Sequence, residues 1–529
     1  VSLSTDCGNA APPIEWQNTI GGSYSDYLEV VRPTNDGGYI LGGSSSSDIS
    51  GDKTGNNEGG TDYWIVKLAA DGTIQNQKTI GGSGEDRLTD LQLTADGGYI
   101  LGGYSRSNIS GDKTENAVGS SSYHDYWIVK LSATGTIEWQ NTIGGSSSDY
   151  LESIQQTVDG GYILGGTSSS GISGDKTEVA QGAFDYWVVK LSATGSSEWQ
   201  NTIGGSNYDY LRSIEQTADG GYILGGYSTS GISGDKTEAS QGYDDYWVVK
   251  VSATGIIEWQ NTIGGNNYDY FQSIQQTSDG GYILGGSSSS GISGDKTEIS
   301  QGVNDYWVVK LSAMHTIQWQ NTIGGSGYDN LQSVQQTSDG GYILGGYSNS
   351  PISGDKTEMA VFHDYWVVKL SSTGTIEWQN TIGGHGDDYL QSIQQTTDGG
   401  YILGGYSDSG ISGDKTVDNK GSYDYWIVKL AADGTIQTQR TIGGSEDDNL
   451  TDIQLTADGG YIIGGYSWSG ISGNKTEATQ GYNDYWIVKL SATGIIEWQN
   501  TIGGNNADYL TSIQQTTDGG YILGGYSES

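Results

Sequence analysis

The sequence contains very little cysteine, proline and positive charge for its length. Its 529 residues include one Cys, four Pro and 23 Lys and Arg, against 63 Asp and Glu. The single cysteine, Cys7, excludes a framework of disulfide bonds. The net charge of −40 excludes a nucleic-acid-binding protein, because such a protein needs basic groups to neutralise phosphates. No apolar run reaches the roughly eighteen residues of a membrane-spanning helix, so we expect no membrane insertion.

The few basic residues stand almost entirely at two repeated positions. Eight lysines occur in GDKT or GNKT segments, and eight more follow the apolar pair of DYWVVK-type segments. Seven basic residues remain for the rest of the chain, so unique residues can form no basic patch. Acidity of this strength keeps a secreted protein soluble and attracts divalent cations.

Glycine and aromatic residues are abundant and recur at a fixed spacing. The segment TIGG occurs nine times, once in every stretch of about 60 residues. Its copies end at Gly22, Gly82, Gly145, Gly205, Gly265, Gly325, Gly384, Gly444 and Gly504. A repeated sequence also repeats its surface chemistry, so a single-copy catalytic triad is not the first expectation.

Each repeat predicts four short strands. In DYWVVKL, residues Trp187, Val189 and Leu191 share one face by the two-residue period of a strand, and SATG turns the chain into the second strand, TIEWQNTI. The third strand is LQSIQQT. A DGG segment follows, whose Asp-Gly pair predicts a two-residue hairpin turn with positive φ angles, and YILGGYS is the fourth strand. The two glycines of YILGG indicate close approach of neighbouring sheets.

Four antiparallel strands in about 60 residues, repeated along the chain, are typical of a β-propeller blade. Solenoid repeats are shorter, usually about 20–45 residues. We therefore predict an all-β fold, a β-propeller of eight to nine four-stranded antiparallel blades. Residues 1–13 are predicted to be an N-terminal segment, and residues 14–529 a single propeller domain of nine repeats.

The count of first strands raises the question of how the propeller closes. The second, third and fourth strands occur nine times, but DYW[VI]VK occurs only eight times. The blade that starts at Ile14 therefore lacks a first strand. We predict that it borrows this strand from the opposite end of the protein, because a closed ring removes an unpaired sheet edge.

The segments from Asp185 to Gly205 and from Ser273 to Gly286 carry a family resemblance. A strand ending in Lys, a glycine turn, a TxGG strand end, an Asp-rich loop and a DGxxYxxGxT-like strand recur in order. This arrangement resembles the SBBP family of bacterial β-propeller repeats over nearly the whole chain, from Ile14 to Ser527. The resemblance implies a surface or secreted bacterial protein, similar to repeat proteins exported by Bacteroidetes. It also implies seven blades, from which the repeat count here departs.

The alternation of strands predicts where a binding site lies. The SATG and DGG turns share one end of each blade and barely vary, whereas the segments after TIGG and after GDKT share the other end and diverge. Loops on a rigid scaffold are where binding residues usually lie, and aromatic rings beside short polar groups suit sugar rings. The alternative is that these rings only cover the strand ends. The candidate ligand-binding residues at this end are Phe184, Tyr208, Tyr243, Tyr268, Tyr328, Tyr423, Tyr482 and Trp468.

Tryptophan falls into two regular series, one in DYW and one in EWQ. Their regularity favours packing between blades over ligand contact. Asn76 and Thr438 replace the EWQ tryptophan in two related repeats, which indicates block duplication more than a pocket. Trp468 belongs to neither series and stays a candidate for ligand contact.

Metal binding and catalysis have weaker signals. Several Asp per repeat could supply oxygen ligands for calcium, but no copy has the alternating D-x-D-x-D spacing of a calcium loop. The prediction is therefore no cofactor, with calcium left open. The four histidines, His124, His315, His363 and His385, form no obvious catalytic set, and nothing distinguishes one carboxylate pair for glycoside cleavage.

These observations together favour a non-enzymatic, extracellular or cell-surface β-propeller that acts as an adhesion or binding scaffold. The expected partner is a glycan or a surface protein. A second hypothesis is a secreted polysaccharide hydrolase or lyase. A third is a purely structural module that assembles with itself at the cell surface.

Overall fold

The computed structural model of the protein describes residues 20–120, 122–516 and 519–527. Eight four-stranded antiparallel sheets of about 60 residues each are arranged as a β-propeller, and a two-stranded sheet follows the eighth. The described residues form two compact units. One comprises the described residues up to Ile299 together with Leu311–Gln318, and the other comprises Ser300–Lys310 and the described residues from Trp319 onward.

In every blade the four strands lie side by side in chain order. The strands of blades 1 and 2 are β1 (Asp26–Pro33), β2 (Tyr39–Ser45), β3 (Asp62–Leu68), β4 (Ile74–Ile80), β5 (Asp86–Leu93), β6 (Tyr99–Ser105), β7 (Asp125–Leu131) and β8 (Ile137–Ile143). Those of blades 3 and 4 are β9 (Asp149–Gln156), β10 (Tyr162–Ser168), β11 (Asp185–Leu191), β12 (Ser197–Ile203), β13 (Asp209–Gln216), β14 (Tyr222–Ser228), β15 (Asp245–Val251) and β16 (Ile257–Ile263).

The remaining blades repeat the same order. The strands of blades 5 and 6 are β17 (Asp269–Gln276), β18 (Tyr282–Ser288), β19 (Asp305–Leu311), β20 (Ile317–Ile323), β21 (Asp329–Gln336), β22 (Tyr342–Ser348), β23 (Asp364–Leu370) and β24 (Ile376–Ile382). Those of blades 7 and 8 are β25 (Asp388–Gln395), β26 (Tyr401–Ser407), β27 (Asp424–Leu430), β28 (Ile436–Ile442), β29 (Asp448–Leu455), β30 (Tyr461–Ser467), β31 (Asp484–Leu490) and β32 (Ile496–Ile502). The two-stranded sheet is β33 (Asp508–Gln515) and β34 (Tyr521–Ser527).

The all-β propeller prediction is confirmed, but the predicted blade boundaries are wrong. The strand after the DGG turn pairs with the following DYW strand, as Tyr162–Ser168 does with Asp185–Leu191, so each blade starts at the LQSIQQ-type strand. The reason is that the long GDKT-containing connection returns within one sheet, and the short segment after TIGG leads to the next blade. The strands β1 and β2, which the prediction assigns to the blade that starts at Ile14, pair with β3 and β4 instead.

Four related predictions have different outcomes. The segment 1–13 and the strand from Ile14 to Thr19 lie outside the described residues. Closure by a borrowed strand and the single-domain organisation stay predictions. The predicted two-residue hairpin turn is wrong, because it requires positive φ at both Asp159 and Gly160. Gly160 has a φ of 83°, but Asp159 does not have a positive φ, since His315 is the one non-glycine residue with positive φ in the described ranges. The Asp159 carboxylate instead accepts a hydrogen bond from the Gly161 N–H at 2.9 Å within a longer connection.

The third strand of each blade forms the core. In β11 every residue is buried, and the Trp187 ring is 0% exposed. The Tyr126 ring of the preceding blade lies 4.7 Å from the Trp187 ring, and its hydroxyl donates a hydrogen bond to the Trp187 carbonyl at 3.1 Å. The corresponding hydroxyl–carbonyl bonds join Tyr63 to Trp127, Tyr186 to Trp247, Tyr306 to Trp366, Tyr365 to Trp426 and Tyr425 to Trp486. These bonds tie the third strands of successive blades together.

The glycine pair of YILGG faces the two neighbouring blades. A Cβ added at Gly166 would lie 2.6 Å from the Tyr126 hydroxyl of the preceding blade, and one at Gly165 would lie 2.8 Å from Leu211 Cδ2 of the next blade. Both contacts are shorter than carbon side chains allow. The predicted structural role of these glycines is therefore confirmed.

The EWQ tryptophans also pack between blades, as predicted. The Trp199 indole lies against Gly255 in the turn of the next blade, where an added Cβ would approach its ring to 2.6 Å. Its Nε1 donates a hydrogen bond to the Ala253 carbonyl at 3.0 Å. No helix within the described residues has the length and apolar character to span a membrane.

We expect Trp187→Ala to lower the free energy of unfolding by about 3–5 kcal/mol, the usual cost of removing a large buried aromatic side chain. Trp468→Ala is the matched control, because the Trp468 ring is half exposed and its loss leaves no internal cavity. Chemical denaturation followed by circular dichroism measures both variants. Equal stability losses in the two would contradict the assigned role of the DYW series.

Candidate functional site

The divergent loops of each blade lie at one end, as the sequence predicts. The DGG and SATG turns join β9 to β10 and β11 to β12, so the connection from β10 to β11 and the segment after β12 lie at the opposite end. We call this the loop end of the blade. It carries most of the variation among repeats, and it is where all eight candidate residues lie.

Two buried aspartates anchor the loop end at each junction between blades. The Asp86 carboxylate, at the start of β5, accepts hydrogen bonds from the Gly82 N–H and the Ser107 hydroxyl, both at 2.8 Å. The Asp62 carboxylate, at the start of β3, accepts one from the Glu58 N–H at 2.6 Å through its Oδ2. The loops therefore have fixed backbones at the points where they leave the sheet.

A buried lysine from GDKT completes each anchor. Lys113 is 2% exposed, donates a hydrogen bond to the Thr142 hydroxyl, and lies with its Nζ 5.0 Å from the centre of the Trp127 ring. Burial lowers the pKa of Lys113 to about 8, although Asp86 and Asp125 act to raise it. The lysine thus holds the loop against the core and is not available to a ligand.

The aspartate pairs do not form a recognised metal site. Calcium takes about six to eight oxygen ligands. In the part of the chain that the structure describes, no group of three or more His, Cys, Asp or Glu residues is arranged to hold a metal ion. The Oδ1 atoms of Asp62 and Asp125 are buried and accept no hydrogen bond from a described residue. Calcium binding therefore stays an open expectation.

The first aromatic group at the loop end, the Tyr208 cluster, joins blades 3 and 4. It consists of Phe184, Tyr208 and Tyr210. The rings of Tyr208 and Tyr210 are nearly parallel, at 7° and 5.9 Å, and the Phe184 ring lies 5.6 Å from Tyr210. The Arg212 guanidinium lies 5.3 Å from the neighbouring Tyr227 ring. The structure therefore brings together two of the predicted residues, Phe184 and Tyr208.

The second group, the Tyr268 cluster, consists of Tyr243, Tyr268 and Tyr270. The Tyr243 and Tyr268 rings stack at 4.6 Å and 14°, and the Tyr268 and Tyr270 rings at 5.6 Å and 3°. The three rings are 58%, 37% and 46% exposed. They form a short row of stacked, partly exposed rings, and two of them, Tyr243 and Tyr268, are predicted residues.

The other four predicted residues lie apart from these clusters. Trp468 and Tyr482 are both exposed, with ring centres 6.3 Å apart. The Tyr423 ring lies edge-on to Tyr406 at 5.4 Å and is only partly exposed. Tyr328 is exposed, and its N–H donates to the Asn349 side chain at 2.7 Å. Sequence reasoning missed Tyr210 and Tyr270, because a tyrosine recurs at that position and looked structural.

A single-copy polar cluster surrounds His363, which sequence reasoning also left aside. Its Nδ1 lies 2.8 Å from Asp387 Oδ1 and 3.1 Å from the Tyr389 hydroxyl, and its ring stacks on Tyr389 at 5.2 Å. Burial and the Asp387 carboxylate raise the pKa of Tyr389 to about 12. The signal that could have found this cluster is that His363 and Asp387 occupy positions held by other residues in most repeats.

Comparison with known proteins gives few relatives. No family model matches the chain, so the SBBP resemblance is not confirmed. A regulatory protein FlaEY of Caulobacter vibrioides is 23% identical over 312 residues, which cover 54% of this chain and 32% of that protein. The chain thus spans about a third of the length of that curated relative.

Solved structures with a similar arrangement share little sequence. A protein of unknown function from Bacteroides caccae is 10% identical, with a TM-score of 0.27, and covers 60% of this chain and 89% of its own. Sqt1 from Chaetomium thermophilum is 12% identical, with a TM-score of 0.41, and covers 91% and 98%. A structure described as the eukaryotic initiation factor is 9% identical, with a TM-score of 0.47, and covers 92% and 91%.

We expect the protein to lose stability as the pH rises from 5 to 8. Burial, opposed by a backbone hydrogen bond and reinforced by a neighbouring aspartate, raises the pKa of Asp62 to about 7 and of Asp125 to about 8. Because the folded-state pKa of these carboxyl groups lies above the unfolded value, their contribution to the free energy of unfolding is complete below about pH 4. It is lost as the pH rises through the folded pKa. Above pH 8 the pH dependence of stability has the opposite sign for buried lysines such as Lys113, because their folded-state pKa is lowered.

Thermal unfolding at pH 5, 6, 7 and 8 measures this effect. The combined variant Asp62→Asn, Asp125→Asn and Asp185→Asn should show a weaker dependence, because asparagine resembles the protonated acid and does not titrate. A variant with the same pH dependence as the natural sequence would contradict the assignment.

Proposed function

We propose that the protein is a non-enzymatic, extracellular or cell-surface scaffold that binds glycans at the loop end of blades 3 to 5. The observation that carries this proposal is the pair of aromatic groups at successive blade junctions, the Tyr208 cluster and the Tyr268 cluster. The parallel exposed rings of Tyr243, Tyr268 and Tyr270 are the clearest part of it.

Flat exposed rings suit the apolar faces of sugars. A tyrosine ring presents an apolar face with few rotatable bonds, so ordering it on binding costs little conformational entropy. The loops also provide amides beside the rings: Asn207 and Asn267 precede Tyr208 and Tyr268, and the Asn207 amide donates to the Thr229 carbonyl at 3.1 Å. Ring faces with adjacent polar groups support a carbohydrate ligand more than a purely apolar one.

The anchored loops support a preformed site. Asp209 and Asp269, at the starts of β13 and β17, accept hydrogen bonds from Gly205 and Gly265 at 2.7 Å, directly before the tyrosine-containing loops. A preorganised site loses less entropy on binding than a mobile loop. Two clusters at successive blade junctions would also engage separate parts of one polysaccharide chain, so that binding strengthens with chain length.

The charge and composition support an extracellular location and a neutral ligand. A protein with a net charge of −40 repels acidic polymers, so we expect neutral polysaccharides to bind better than uronic-acid polymers. No cofactor is part of this proposal. A surface protein is the alternative partner, and self-association is the outcome expected of a purely structural module.

Replacing Tyr208, Tyr268 and Tyr328 together by Ala should abolish retention on polysaccharides that the intact protein binds. Affinity electrophoresis against a panel of neutral and acidic polysaccharides, with and without calcium, measures retention. From the ring contacts we expect Tyr268→Ala with Tyr270→Ala to weaken binding about tenfold or more, since each lost aromatic contact costs on the order of 1 kcal/mol.

Tyr328→Ala alone is the matched control, because no ring contact within the described residues places Tyr328 in a cluster. Its effect should be small. Retention unchanged in the triple variant, with its thermal stability intact, would overturn the proposal. Retention of purified surface protein but of no polysaccharide would select the alternative partner.

The enzymatic hypothesis has one supporting observation, the His363 cluster. A histidine held by a carboxylate and hydrogen-bonded to a tyrosine that keeps its proton at neutral pH could act in proton transfer. If the protein cleaves polysaccharide, His363→Ala should abolish the release of reducing ends, and His385→Ala should not. Release of reducing ends that persists in His363→Ala would remove this hypothesis.

A further inference from the structure

At the junction of blades 1 and 2, a cavity lies at the position where most junctions have a tryptophan. The cavity has a volume of about 210 Å³ and lies between blades 1 and 2. Ile40, Ile65, Tyr99 and Leu131 contribute apolar walls, and the lining also includes Asn76, Ala133 and the charged Asp36, Lys67 and Lys78. Asn76 stands opposite Lys67 in the sheet, at the register position that Trp139 holds opposite Lys130.

The filled junctions show what shape and chemistry this position accepts. The Trp139 ring lies 5.7 Å from the Tyr162 ring. It also packs against Gly195, where an added Cβ would approach the indole to 2.6 Å. At equivalent junctions the indole N–H donates to a carbonyl of the adjoining turn, as Trp378 does to Ala432 at 3.0 Å. The position is therefore built for a planar aromatic ring with one N–H donor.

Asn76 replaces only a small part of the indole. Its amide donates to the Thr134 carbonyl at 3.0 Å, one residue beyond the carbonyl that the tryptophans use. The Ala133 carbonyl, which is the equivalent acceptor, receives no hydrogen bond from a described residue. Tyr99, the counterpart of Tyr162, remains in the cavity wall. The apolar wall and the acceptor are thus both present without the ring.

The second position that lacks this tryptophan, Thr438, has a different side chain against the turn. Near Thr438, the Arg440 side chain covers the turn: its Nε donates to the Gly494 carbonyl at 3.1 Å, and its Cγ lies 3.6 Å from the Cβ position of Gly494. The counterpart of Arg440 in blade 1 is Lys78, whose Nζ is paired with Asp112 Oδ1 at 3.6 Å. The two positions that lack the tryptophan therefore differ in the side chain that lies against the turn, which is Arg440 at Gly494 and Asn76 at Gly135.

We propose that the cavity at Asn76 is a binding site for an indole ring supplied by a ligand. The equivalent position at the filled junctions holds an indole ring, and the cavity volume of about 210 Å³ exceeds the roughly 150 Å³ that accepts a benzene ring. The ring packs against Tyr99 and Leu131, and its N–H donates to the Ala133 carbonyl. The site is separate from the Tyr208 and Tyr268 clusters, because Ala133 and Thr134 belong to the SATG-type turn at the opposite end of blade 2.

Calorimetric titration of the full chain with indole and with N-acetyl-tryptophanamide tests the proposal. We expect a Kd on the order of 1 mM for indole, which is typical of a ligand with so few atoms. Tighter binding of N-acetyl-tryptophanamide would assign the ring to a tryptophan side chain of a polypeptide. Equal or weaker binding would assign it to a free indole compound.

Two variants close the cavity by copying other repeats. Asn76→Trp restores the consensus ring, and Asn76→Thr with Lys78→Arg copies Thr438 and Arg440 of blade 7. Both should weaken indole binding at least tenfold, and Asn76→Trp should also raise the thermal unfolding midpoint. Thr438→Trp is the control and should leave indole binding unchanged.

Because both cavity-closing variants use residues that the chain already accommodates at equivalent positions, we expect them to fold. Indole binding that is undetectable in the natural sequence, or unchanged in Asn76→Trp, overturns the proposal. Binding that is lost in the Tyr268→Ala, Tyr270→Ala variant instead places the indole at the loop end and overturns it as well.

Discussion

The contact between successive third strands is the interaction on which the rest of the structure depends. The Tyr126 hydroxyl reaches across a blade junction to the Trp187 carbonyl, and it fits only because Gly166 has no side chain. An unpaired buried hydroxyl or carbonyl costs about 1–3 kcal/mol, so tyrosine, tryptophan and glycine are mutually dependent. Because the same three residues recur, successive junctions have nearly the same spacing. This spacing determines the positions of the strand ends that carry the loops.

The strands could be predicted from the sequence, but their assignment to sheets could not. The two-residue period of DYWVVKL and the hairpin glycines are local signals, and the structure places strands at all these segments. Which connection stays within a sheet is a long-range choice. The segment after TIGG and the GDKT loop both allow an antiparallel return. In the structure the GDKT loop returns within the sheet. Lys113, in the middle of this loop, packs against Trp127 of the same blade.

The candidate site was partly predictable for the same reason. Tyr243 and Tyr268 lie in different loops, and their meeting follows from the end of the blade that both loops share. Tyr270 occupies a recurring position that looks structural in the sequence, but in the structure it is exposed and stacks on Tyr268. The cavity at Asn76 was not predictable, since the sequence shows that a tryptophan is replaced but not where the neighbouring side chains, such as Lys78, lie.

The buried polar groups explain why variation is confined to a few positions. Each complete blade commits two aspartates, one GDKT-type lysine and the Tyr-Trp pair to its junctions, and a buried charge without its partners is costly. A change at any of these residues disturbs the junction and the anchored loops together. Positions that no anchor uses, such as 76 and 363, and the loop tips around Tyr208, Tyr268 and Trp468, can differ between blades without that cost. Differences in function among nearly identical repeats are therefore expected at such positions.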